Sequence, residues 1–111
     1  MTAEEAQEAF ALKLIHPGDK SEIEYASQNF EWEWKGQTAA FLIEFLEQGR
    51  DKPVLSAYTK NLYYKLPVSV LKSMFSPEKT YIWRVKELDT DGNAAGESPA
   101  HSFIFRKSAS H

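Results

Sequence analysis

From Asn29 to Lys35 the chain reads Asn-Phe-Glu-Trp-Glu-Trp-Lys, aromatic and charged residues in strict alternation. Successive side chains of an extended strand point to opposite faces, so Phe30, Trp32 and Trp34 share one side while Glu31, Glu33 and Lys35 take the other. A helix would scatter those rings around its whole surface. The same period returns at Tyr81, Trp83 and Val85, which alternate with Ile82, Arg84 and Lys86. It also places Phe41, Ile43 and Phe45 inward, as well as Phe103 and Phe105. Shorter strand-like runs lie at Ala11–Ile15, Pro53–Thr59 and Leu62–Pro67, the first interrupted by the turn cluster His16-Pro17-Gly18-Asp19. About seven short strands with turn signals between them predict an all-β, antiparallel two-sheet sandwich.

One segment breaks the period. Val70, Leu71, Met74 and Phe75 recur at helical spacing and Pro77 ends the run, so 68–76 reads as a short helical insertion crossing between the sheets.

The 111 residues suffice for one domain with a single core, to which seven Phe, five Tyr and three Trp contribute large apolar surfaces. Thirteen basic residues are interspersed with sixteen acidic ones, a net charge of −3, which argues against nucleic acid as a partner. There is no cysteine for a disulfide framework or a thiolate metal site. No apolar run approaches the ~20 residues that span a bilayer, so direct membrane insertion is not expected. The start, Met1 to Leu14, carries acidic residues where a signal peptide carries positive charge, and the compartment stays open. Thr2 and Glu5 have capping-box spacing, and 1–10 reads as a linker or short helix, followed by a sandwich over 11–107 and a tail at 108–111.

Phe75, Pro77, Tyr81, Trp83 and Val85 stand at spacings that resemble the fibronectin type III signature, in its bacterial form through the Tyr-Ile-Trp-Arg-Val and Asp-Thr-Asp-Gly-Asn runs. The resemblance implies a seven-stranded, Ig-like sandwich in which Tyr81 forms the tyrosine corner and Trp32 or Trp34 is the core tryptophan of the second strand. It also implies a noncatalytic module of a larger protein, with an exported, periplasmic or cell-surface setting. The helical insertion is longer than the family's usual connection, and no Arg-Gly-Asp tripeptide is present.

Asp89, Asp91 and Asn93 alternate as calcium ligands do, with Glu97 to close the set, but Asp-Gly between two strands is a hairpin signal and the turn is the stronger reading. His16, His101 and His111 have no nucleophile motif around them, and Glu31 and Glu33 belong to a wet strand face. No catalytic residue, metal ligand or cofactor follows.

What remains is the outer side of one sheet. Leu42 and Leu46 alternate outward, as do Ile82 and Ile104, and in the resembled topology their strands are neighbours. An apolar row of Leu42, Ile82 and Ile104, rimmed by Glu44, Arg84 and Arg106, then offers a surface to a protein partner or neighbouring domain. The alternative is that the N-terminal segment or the helical insertion covers it. A different reading, carbohydrate binding, rests on Tyr58, Tyr63 and Tyr64, with Tyr64 turned inward.

Overall fold

The computed structural model describes residues 12–36 and 40–107; the N-terminal linker, the tail and His111 lie outside them. The strands are β1 (Leu12–His16), β2 (Ser21–Glu24), β3 (Asn29–Trp34), β4 (Ala40–Glu47), β5 (Pro53–Thr59), β6 (Tyr63–Lys65), β7 (Thr80–Leu88), β8 (Ala94–Glu97) and β9 (His101–Arg106), with helix α1 (Val68–Met74) between β6 and β7. They form two sheets, one ordered β1-β3-β6 and the other β2-β9-β7-β4-β5 with β8 also on β7.

The strands outnumber the expected seven because two are divided. The first leaves one sheet after His16, and the chain enters the other as β2, parallel to β9. Pro17 has no N–H to extend a ladder, so the strand breaks there. Ser-Glu-Ile-Glu carries one apolar residue in four, and pairing with β9 rather than its own pattern makes it a strand. The last strand is divided at Ser98-Pro99-Ala100. Ser98 bridges the gap: its N–H donates to the Val85 carbonyl at 2.8 Å and its Oγ accepts the Val85 N–H at 3.0 Å. One buried serine thereby satisfies both backbone groups of Val85.

The alternating residues meet between the sheets. Phe30 is fully buried at the centre, its ring 4.8 Å from Phe45, 5.2 Å from Trp83 and 5.4 Å from Phe103. These mostly tilted or edge-on arrangements suit the ring quadrupoles. Of the expected core, Trp34 is only half-buried. It ends β3, and its ring packs on Phe41 and over Gly36. A methyl at Gly36 would come within 2.5 Å of that indole, which is why a glycine suits the position. Trp32 is the tryptophan of this strand that enters the core.

Helix α1 closes one end of the sandwich. Leu71 and Phe75 join the interior cluster, and the Tyr25 hydroxyl donates to the Phe75 carbonyl at 2.8 Å. Met74, on the same apolar spacing, is 49% exposed. Tyr81 ties the same region down from the other side: its hydroxyl accepts the Ser76 N–H at 2.7 Å.

Candidate functional site: the outer face of the larger sheet

Alternation along β4, β7 and β9 turns their even-numbered residues away from the core. The register decides which of these meet. On β4 and β7, Leu42 lies opposite Lys86, Glu44 opposite Arg84, and Leu46 opposite Ile82. Across β7 and β9, Ile82 is opposite Ser102 and Thr80 opposite Ile104, which in turn neighbours Glu22 of β2. Leu42, Ile82 and Ile104 therefore do not stand in one row. Leu42 is two cross-strand pairs away from Ile82, separated from it by the Glu44–Arg84 pair. All three are half-buried, and Leu46, the true neighbour of Ile82, is buried outside the interior cluster.

Charge holds the middle of this face. Glu44 has its side chain 10% exposed, with Arg84 Nε at 2.9 Å and Lys86 Nζ at 3.4 Å from Oε1. Lys86 also reaches Glu97 at 3.7 Å. A carboxylate so removed from water needs such partners. Sequence reasoning placed Glu44 and Arg84 on the rim and omitted Lys86, although the same alternation aims it outward. Arg106 is engaged by its own chain: it pairs with Glu22 at 2.9 Å and, closer still, with Glu78. Those contacts hold the Glu78 carboxyl below the usual carboxylate range, Arg106 first and the Lys107 N–H second. Helix α1 contributes Leu71 and Phe75 to the interior cluster, and the N-terminal segment expected as a possible cover lies outside the described residues.

The other candidates are dispersed. Asp89 uses its Oδ1 to accept the N–H groups of Asp91 and Asn93, both at 2.9 Å, and Gly92 takes φ +86°. The Asp-Thr-Asp-Gly-Asn run is a self-closing hairpin turn between β7 and β8. Among the described residues no three His, Cys, Asp or Glu side chains are grouped to hold a metal ion. His101 packs edge-on to Trp83, with Nδ1 at 3.5 Å from the Pro17 carbonyl, the long limit of a hydrogen bond. Tyr58, 73% exposed, and Tyr63, 50% exposed, belong to different sheets. Tyr64 leans toward Phe45, and burial raises its hydroxyl pKa. Beside Tyr63 lies a shallow groove of about 430 Å³, lined also by Ile15, Asn29, Glu31, Trp32, Glu33 and Leu62.

Among solved structures, the chain is similar to the fibronectin(III)-like modules of Clostridium thermocellum CbhA, at 17% identity and a TM-score of 0.56. The match covers 86% of this chain and 94% of that one. The fold is fibronectin type III-like. No family model matches the sequence, and no curated protein does either. Against the fibronectin type III-like frame, β2 is the part of the first strand that has changed sheets, and β8 with β9 forms one last strand broken at Ser98. No helix among the described residues is long and apolar enough to cross a membrane.

Proposed function

We propose that this fibronectin type III-like domain is a noncatalytic spacer or protein-interaction module of a larger bacterial protein, in an exported, periplasmic or cell-surface setting. The observation that carries the reading is the outer face of the larger sheet, where half-buried Leu42 and Ile82 flank a fixed Glu44–Arg84–Lys86 charge cluster and Ile104 lies beyond Ile82. Preorganised charge amid apolar side chains is a surface that loses little entropy when a protein docks on it. Arg106, already held by Glu22 and Glu78, borders the same face. The likeness to bacterial modules supports the setting.

The test is binding to the neighbouring domain of the parent chain, compared between the wild type and a Leu42→Lys, Ile82→Lys, Ile104→Lys variant. Circular dichroism first establishes that both are folded. Binding by the wild type alone supports the reading, and equal binding by both removes the face from it.

A second reading, carbohydrate binding, is favoured by the groove at Tyr63, which sets an exposed ring beside Asn29, Glu31 and Glu33. Retardation by soluble polysaccharides in affinity electrophoresis, lost in Tyr63→Ala, is its expected signature.

A further inference from the structure

β5 differs from every other edge strand among the described residues. β1 contains Lys13, β2 contains Glu22 and Glu24, β6 contains Lys65 and β8 contains Glu97. Such charges discourage pairing with a further strand. β5, Pro-Val-Leu-Ser-Ala-Tyr-Thr, has no charged residue and, at seven residues, is longer than the other four. The direction of its free backbone groups follows from the ladder. Gln48 donates its N–H to Thr80, so the even residues of β4 bond toward β7 and the odd ones toward β5. Phe41, Ile43 and Phe45 are therefore the residues bonded to Thr59, Ala57 and Leu55. That leaves the N–H and C=O groups of Ser56 and Tyr58 pointing off the edge of the sheet, beyond the bulge at Val54, with the Tyr58 side chain 73% exposed beside them.

The ends of the strand say which partner fits. Lys52 and Lys60 flank it, both exposed, and neither forms an ion pair among the described residues. Antiparallel pairing of two copies about Ser56 sets Lys52 of one against Lys60 of the other, twice. Parallel pairing sets each lysine against its own copy. Like charges directly opposite disfavour both. A strand with acids at its ends meets the reverse situation.

We propose that β5 is a strand-addition site for an extended peptide with an uncharged, β-prone centre and a carboxylate at each end. Backbone groups of Ser56 and Tyr58 supply the hydrogen bonds, and Lys52 and Lys60 select the ends. The lysines are about 26 Å apart at ~3.3 Å per residue, so a peptide of about nine residues spans them.

The probe is a nonapeptide of alternating Thr and Val with Glu at both ends, compared with its Lys-ended counterpart. Amide exchange of the labelled domain is followed by NMR. The Glu-ended peptide is expected to slow exchange at Ser56 and Tyr58 by about ten-fold or more, and to leave Leu55 and Ala57, already bonded to β4, unchanged. Ser56→Pro, which removes an outward donor from an edge position, abolishes the effect. Lys52→Glu with Lys60→Glu transfers it to the Lys-ended peptide. The lysine-substituted outer-face variant keeps it, which separates this edge from the surface proposed above. No protection, equal protection by both peptides, or protection that appears with protein concentration alone overturns the proposal.

Discussion

At the scale of single residues, the strongest dependence falls on side chains that serve two neighbours at once. Ser98 gives Val85 both a donor and an acceptor at the break in the last strand. Ser98→Ala leaves the Val85 N–H buried without its acceptor, and urea denaturation should show a loss of about 1–3 kcal/mol. Trp83 is fully buried against Phe30 and His101. Trp83→Ala should cost ~3–5 kcal/mol through lost burial and the cavity left behind. An unchanged melting temperature would mean that the inward and outward phases of β7 are reversed. Asp89 is the residue whose role the structure makes plain. Its carboxylate is occupied by two N–H groups of its own turn, so calcium should leave the melting temperature where it is, and Asp89→Ala should lower it without calcium.

At the scale of elements, the joints between strands carry ion pairs that answer to pH. Arg106 of β9 holds both Glu22 of β2 and Glu78 of the turn before β7, while Lys79 pairs with Glu47 at the end of β4 at 2.8 Å. The carboxyls of Glu78 and Glu47 are lowered chiefly by these partners, and that of Asp19 chiefly by the Ser102 N–H. A carboxyl lowered by folding stabilises the native state above its unfolded pKa, and that contribution is lost as pH falls through the folded value. The urea midpoint should hold from neutral pH down to about 5 and fall below about 4, near the unfolded carboxylate range. In Glu78→Gln the fall should be shallower, because one of the responsible groups no longer titrates. Helix α1 depends on a tether of another kind. Tyr25→Phe removes the donor to Phe75, and a loss of about 0.5–1.5 kcal/mol is expected from equilibrium unfolding.

At the scale of the whole molecule, the domain joins two sheets of unequal size around a shared aromatic interior and leaves its two outer faces chemically distinct. The smaller sheet exposes acidic residues around the Tyr63 groove, and the larger one a charge cluster set among half-buried aliphatics. If the second face is the docking surface, the lysine-substituted variant should unfold at nearly the wild-type midpoint, since Leu42, Ile82 and Ile104 stand outside the interior cluster. A large drop in that midpoint would instead mark the three as structural.

The sequence alone determined which side of each long strand faces inward. That property is local, because the pleat alternates side chains whatever the neighbours do, and the expected interior of Phe30, Trp32, Phe41, Ile43, Phe45, Tyr81, Trp83, Val85, Phe103 and Phe105 is buried. Leu12, Leu14, Leu66, Leu71 and Phe75 complete that interior, and of the apolar residues at helical spacing only the packing decides that Leu71 and Phe75 are buried while Met74 is exposed. Only the tertiary structure decided what lies beside what. Register places Leu46, not Leu42, against Ile82, and sheet membership divides β1 from β2. Both depend on how far one strand slides along another, a quantity that the total packing of two sheets sets and no single segment encodes.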